Sequence, residues 1–351
     1  MEKIKVGILG ATGMVGQRFI QLLENHPWFE ISALAASARS AGKPYRESMA
    51  GRWKLETPIP ENVEGMEVKE CIPDLDCRLV FSALDSSIAG PVEEKFARAG
   101  YGVSSNSKNH RMDEDVPLLI PEVNGDHLEI VEEQKKTRKS RGFIVTNPNC
   151  SVIGMVMAIA PLHKEYTINK IMVTTMQALS GAGYPGVASL DIIDNVVPFI
   201  GGEEEKMETE PQKILSRIEN NRFVLAEITV SASCNRVQVK DGHLESVSIA
   251  LVKKPSRDDL IETLRNFNPL KGLDLPSAPS QPIVIREEDD RPQPQFDRDE
   301  SKGMACVVGR IRECPILDYK LMVLSHNTIR GAAGAAILNA EYMKVKGFLE
   351  H

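Results

Sequence analysis

The chain has 351 residues, long enough for two domains with separate cores. With 42% hydrophobic and 26% charged residues, its composition is that of a globular protein. A formal net charge of −7, without a long basic run, argues against nucleic acid or an anionic membrane as the main partner, and no segment approaches the roughly 18 unbroken apolar residues of a membrane span.

The first residues lead directly into an apolar strand, 4–9, which leaves no room for a signal peptide. Gly10, Gly13 and Gly16 follow in GxxGxxG spacing, and residues 17–23 continue with Phe19, Leu22 and Leu23 at helical spacing. A strand, a glycine turn and a helix N-terminus in that order suit the pyrophosphate of a dinucleotide, because the turn brings backbone N–H groups close to it. Thr12, Met14 and Val15 then join Gly10 and Gly13 as candidate cofactor contacts. A glycine-rich turn without a ligand is the alternative reading.

A second strand, 30–36, ends in Ser37, Arg39 and Ser40, where an NAD site would place Asp or Glu for the ribose hydroxyls. Hydroxyls and a guanidinium suit a 2′-phosphate instead, so NADP is expected, with a solvated polar loop as the alternative. Strand 79–84 brings Ser82 and Ala83. Helix 88–97, stopped by Gly100, and strand 101–106 continue the alternation, which implies a parallel sheet with helices on both faces. Residues 129–141 are charged and read as a solvated helix and loop.

Strand 143–145 runs into Asn147-Pro148-Asn149-Cys150-Ser151, followed by a long apolar helix. Cys150 thus stands at a helix start, where the dipole and unpaired N–H groups favour a nucleophilic thiolate. A buried structural cysteine is the plain alternative. The other cysteines, at 71, 77, 234, 306 and 314, form no CxxC pair and no zinc pattern, so a reduced, metal-free protein of the cytoplasm is expected.

Beyond this point the pattern shifts. Residues 170–177, 246–251 and 320–324 read as half-buried strands of antiparallel type. Ser256 opens a helix with Leu260, Leu264 and Phe267 on one face. Residues 276–295, rich in proline and charge, read as a surface loop. The small residues of 328–337 form a last helix, expected to pack back on the N-terminal domain.

Seven stretches together resemble the aspartate-semialdehyde dehydrogenase family, in its archaeal and fungal branch, over nearly the whole length. They are GATGMVG at 10–16, RMDEDVPLLIPEVN at 111–124, NPNCS at 147–151, QALSGAG at 177–183, GGEEEK at 201–206, CNRVQVKDGH at 234–243 and HNTIRGAAGAA at 326–336. The resemblance implies an α/β fold. A Rossmann-type NADP-binding domain over 1–149 is completed by the C-terminal helix 327–351. An α+β catalytic and dimerisation domain of the glyceraldehyde-phosphate dehydrogenase-like type spans 150–326. It implies a homodimer or homotetramer.

It also implies reversible reduction of L-aspartyl-4-phosphate to L-aspartate-4-semialdehyde by NADPH through a cysteine thioester, on the route to threonine, methionine, isoleucine and lysine. By the same resemblance Cys150 is the nucleophile, His243 the acid/base and Gln177 the residue that orients the intermediate. Arg236 takes the substrate carboxylate, Glu203 its amino group, Lys206 and Arg111 the phosphate, and Asn149 adjoins the substrate. Ser180, Gly181, Gly183 and Asn327 close on the cofactor. Read without the family, His243 is a turn histidine, Arg236 a strand arginine, Arg111 a partner for Asp113 or Asp115, and Glu203-Glu204-Glu205 a charge run of uncertain register. Lys108 and His110 have no assigned role. A malonyl-CoA reductase or another acyl-thioester reductase, and a non-catalytic NADP-binding protein, are the alternatives on the same fold.

Overall fold

The computed structural model describes residues 2–349. Met1, Glu350 and His351, which end the two expected stretches of the nucleotide-binding domain, lie outside them.

The N-terminal half alternates strand and helix: β1 (Ile4–Leu9), α1 (Met14–Leu23), β2 (Phe29–Ala36), β3 (Val68–Glu70), β4 (Leu79–Ser82), α2 (Ser86–Ala99), β5 (Gly102–Ser105), α3 (Ile130–Arg138) and β6 (Phe143–Thr146). The six strands pair in parallel in the order β3-β2-β1-β4-β5-β6. β4, β5 and β6 are buried at every residue, as expected of parallel strands covered on both faces. Gly10, at φ +77°, closes the turn after β1, where a Cβ would come within 2.6 Å of the Ala83 carbonyl oxygen.

α4 (Cys150–Tyr166) leads into the second half: β7 (Ile168–Gln177), α5 (Glu203–Ile214), the hairpin β8 (Arg217–Glu219) and β9 (Arg222–Val224), β10 (Thr229–Arg236), β11 (His243–Leu251), α6 (Arg257–Arg265), β12 (Ile283–Arg286), β13 (Cys306–Glu313), β14 (Tyr319–Ser325) and α7 (Gly334–Val345). The larger sheet runs β10-β7-β11-β14-β13-β12. The three expected strands, β7, β11 and β14, pair antiparallel, while β10–β7 and β12–β13 are parallel, so the whole sheet is mixed. α4 is apolar nearly all round and fills the core over this sheet.

Two expectations need correction. The stretch 276–295 is not only loop, because Ile283–Arg286 adds an edge strand to β13. α3 is not simply solvated either: Gln134 is buried, donates to the Ile144 and Asp115 carbonyls, and accepts the Ile144 N–H. That amide braces the edge strand β6 from outside the ladder.

The chain returns to the first sheet through a π-helical turn, Ile329–Ala333, and then α7, whose Ile337, Leu338 and Met343 join the core built on β1 and β4. Within the turn Arg330 is fully buried and donates to both carboxylate oxygens of equally buried Glu122, at 2.7 and 3.0 Å. Its neighbour Gly331 lies directly against the nucleophile helix, where a Cβ would meet the Cys150 Cβ at 2.8 Å. Among the described residues no helix is long and apolar enough to cross a membrane.

Candidate active site

Cys150 is the first residue of α4. Asn149 caps the helix, its Oδ1 accepting the N–H groups of Ser151 at 2.9 Å and Val152 at 3.3 Å. β11 begins at His243, and its Nε2 stands 3.1 Å from the Cys150 sulfur. The Ala178 N–H, just past the end of β7, donates to His243 Nδ1 at 3.0 Å and fixes the ring. A proton carried by the neutral ring therefore sits on Nε2, facing the sulfur.

Burial, then the charge of Arg236, holds the imidazole well below the usual histidine range. Burial, then the Glu203 carboxylate, pushes the Cys150 thiol well above the usual thiol range, against the pull of Lys206, Arg111 and Arg236. The helix N-terminus alone suggested a resting thiolate. Burial and the Glu203 carboxylate work against that thiolate and favour the neutral thiol. Alkylation of the free enzyme by iodoacetamide is therefore expected to rise with pH, about tenfold per unit, well past neutrality. A rate plateau below pH 7 would show that the thiolate is already formed.

Around this pair the other side chains converge. Arg236, the last residue of β10, is buried, and its Nη1 donates to the Ala178 carbonyl at 2.6 Å. Glu203 opens α5 and accepts from Asn149 Nδ2 at 2.9 Å and from Gln177 Nε2 at 3.2 Å, with Lys206 paired to its other oxygen. Burial works against its charge, but Lys206, Asn149 and Gln177 hold the Glu203 carboxyl below the usual range. The ambiguous register is thus resolved for these residues: Glu203 turns inward, Glu204 accepts the Cys234 N–H, and Glu205 is exposed.

Arg111 is buried and pairs with neither Asp113 nor Asp115. Its Nη1 donates to Glu210 at 2.8 Å, its Nη2 to the Asn106 carbonyl at 2.9 Å, and its buried Nε has no partner. Asp113 and Asp115 bind Arg138 instead, and His110 Nδ1 lies 2.8 Å from Asp113, which gives His110 a place in bracing this loop while Lys108 is exposed. Asn149, expected at the substrate, caps α4 through its Oδ1 and donates to Glu203 through its Nδ2.

The expected cofactor residues fall in two groups. Gly10, Thr12, Gly13, Met14 and Val15 form the turn into α1, whose N-terminus has no side-chain cap and starts at exposed Gly13. The turn also binds the end of β2, through Gly10 and Ala11 N–H groups donating to the Ala35 carbonyl, so exposed Ser37 and Arg39 follow alongside. Ser40 departs from expectation: it is buried, with its carbonyl accepting from Ser48. Ser82 is buried with a partnerless hydroxyl, and Ala83 beside it is half-buried.

The second group is Ser180, Gly181, Gly183 and Asn327. Asn327 Nδ2 donates to the Ser180 hydroxyl at 2.8 Å and its Oδ1 accepts the Gly242 N–H at 2.9 Å. A cleft of about 610 Å³ is lined by Met14 from the first group and by Ser180 and Gly183 from the second. Arg18, Lys54 and Arg298, which sequence reading missed, also line it, among the carboxylates of Glu56, Asp241 and Asp299. Three such charges set on a helix, a loop and a turn leave no spacing signal in the sequence. Gly181 stands on the reactive pair, where a Cβ would lie 2.9 Å from Arg236 Nη1 and 3.1 Å from His243 Cε1. Gly181→Ala is therefore expected to lower kcat by roughly tenfold or more through displaced groups, with little change in thermal stability; steady-state kinetics beside a melting curve checks this.

Fold and site together define a semialdehyde dehydrogenase, an oxidoreductase with a dinucleotide-binding half and a mixed-sheet half. A family model described as "Semialdehyde dehydrogenase, NAD binding domain" matches residues 5–131, and one described as "Semialdehyde dehydrogenase, dimerisation domain" matches 159–330. The aspartate-semialdehyde dehydrogenase of Archaeoglobus fulgidus is 52% identical over 97% of this chain and 98% of its own. That of Candida albicans is 47% identical over 99% of this chain and 100% of its own. The crystal structure of the Candida albicans enzyme with NADP superposes with a TM-score of 0.91 at 46% identity, covering 98% of this chain and 99% of that one. The chain belongs to the aspartate-semialdehyde dehydrogenase family.

Proposed function

We propose that this protein catalyses the reversible, NADP-dependent reductive dephosphorylation of L-aspartyl-4-phosphate to L-aspartate-4-semialdehyde in aspartate-family amino-acid biosynthesis. The observation that carries the reading is the 3.1 Å approach of Cys150 to His243 within a ring of Arg236, Glu203, Lys206 and Arg111.

NADP fits the residues present. The uncapped start of α1, the partnerless Ser82 hydroxyl and exposed Arg39 offer donors for phosphates, and the end of β2 carries no carboxylate. When bound, the reduced nicotinamide supplies the hydride. The chain's own residues do the rest. Cys150 attacks the acyl phosphate carbonyl while the His243 Nε2–H steadies the sulfur, and the thiol proton leaves with the phosphate toward Arg111 and Lys206. Arg236 grips the α-carboxylate, and Glu203 the α-amino group. Gln177 orients the thioester. His243 then serves the oxygen of the thiohemiacetal, which collapses to aldehyde and frees the sulfur. A buried carboxylate in the acyl pocket favours an amino-bearing substrate over malonyl-CoA.

We assign residues 1–149 and the C-terminal helix to cofactor binding and 150–326 to catalysis and dimerisation. Exposed Met172, Leu190, Ile193, Val196 and Phe199 supply an apolar face for a homodimer or a pair of dimers. Six free thiols suit a cytoplasmic setting. The test is to mix enzyme with aspartyl phosphate in the absence of NADPH. One phosphate should be released per subunit, and the Cys150 peptide should gain the mass of an aspartyl group. Modification elsewhere, or none, would reject the mechanism.

A further inference from the structure

α5 lies across the start of α4 and turns one stripe inward: Glu203, Met207, Glu210 and Ile214. Glu203 faces the site. Glu210, two turns further on, is buried, and both of its oxygens are bonded. Oε2 accepts the backbone N–H of Asn149 at 2.7 Å, and Oε1 accepts from Arg111 Nη1 at 2.8 Å. One carboxylate therefore joins the turn that carries the nucleophile to the guanidinium of the phosphate subsite. From the next turn, Lys213 donates to the Arg111 carbonyl at 2.7 Å and the Asp113 carbonyl at 2.6 Å, which holds the same loop from behind.

The need for such a group follows from the sequence of α4. A helix that starts with a capping box satisfies the N–H of its cap residue with a Glu or Gln three residues later. α6 does this with Ser256 and Asp259. In α4 the corresponding position is Val152, which has no acceptor. The Asn149 side chain looks after Ser151 and Val152, and the Asn149 N–H is left to a carboxylate from another helix.

We infer that Glu210 is a positioning residue that completes the cap of the nucleophile helix in trans and fixes Arg111 relative to the Cys150 sulfur. The inference rests on the reading that Cys150 is acylated and that Arg111 holds phosphate. Glu210 touches neither substrate nor cofactor; it acts through those two residues.

Glu210→Gln separates its two tasks. The amide keeps one acceptor for the Asn149 N–H but presents an N–H to Arg111, which loses its charged partner. In the phosphorylating direction the KM for phosphate should rise roughly 10- to 100-fold, the worth of one charge-assisted hydrogen bond, while kcat stays within about threefold and the KM for NADP is unchanged. Glu210→Asp, too short to reach both partners, should lose kcat as well. In an Arg111→Ala background, Glu210→Gln should no longer alter the phosphate KM. A purely structural Glu210 would lower the melting temperature and leave the phosphate KM of the folded enzyme alone. A parental phosphate KM in Glu210→Gln, beside a raised one in Arg111→Ala, overturns the inference. A parental phosphate KM in Arg111→Ala overturns the underlying reading instead.

Discussion

Cys150→Ala is expected to lose phosphate-dependent oxidation of aspartate semialdehyde by on the order of 10⁴-fold or more, the scale on which removal of a covalent nucleophile acts. Nothing else in the cleft can take over. Cys234 is buried on β10 and Cys306 on β13, while Cys71, Cys77 and Cys314 lie in loops, after β3, before β4 and after β13. The variant should still fold, because the Asn149 cap, the Glu210 contact to its backbone N–H and the packing of α4 do not depend on the sulfur. It should also bind NADP, so nucleotide binding measured by fluorescence beside the lost turnover distinguishes a missing nucleophile from a collapsed site. Undiminished turnover would reject the assignment.

The second large effect concerns stability. Arg330 and Glu122 are both fully buried and joined by two hydrogen bonds. Removing one partner leaves the other charge desolvated and alone, which costs about 3–5 kcal/mol. Glu122→Leu and Arg330→Met should each lower the unfolding midpoint strongly, whereas the double variant should recover most of the loss, since an apolar pair of similar volume is often as stable as the ion pair. Arg330→Met should also depress kcat in whatever fraction remains folded, because Gly331, the next residue, backs Cys150. Thermal melts of the three variants and the parent, with kinetics at a temperature where all are folded, check both statements.

These contacts show which parts of the structure were legible in the sequence. β1, the glycine turn and α1 were plain because three signals coincide there: an apolar run, spaced glycines and a helical period. β3 was not, since Val68 is the one buried residue of its three. β12 was hidden because four strand residues sit inside a stretch whose prolines and charges read as loop. In the site, Cys150, His243, Arg236 and Glu203 could be proposed because their side chains carry recognisable chemistry in recognisable motifs. The Ala178 N–H could not, since a backbone group has no residue identity to read. Glu210 was missed among the charges of α5, although Glu203, Met207, Glu210 and Ile214 recur at helical spacing and mark one inward face.

The burial that disfavours the Cys150 thiolate has a consequence for survival of the enzyme between turnovers. Peroxide oxidises thiolates far faster than thiols. A sulfur whose thiolate is disfavoured in the empty cleft is shielded there from conversion to sulfenic acid, so peroxide should inactivate the resting enzyme more slowly than an exposed thiolate enzyme.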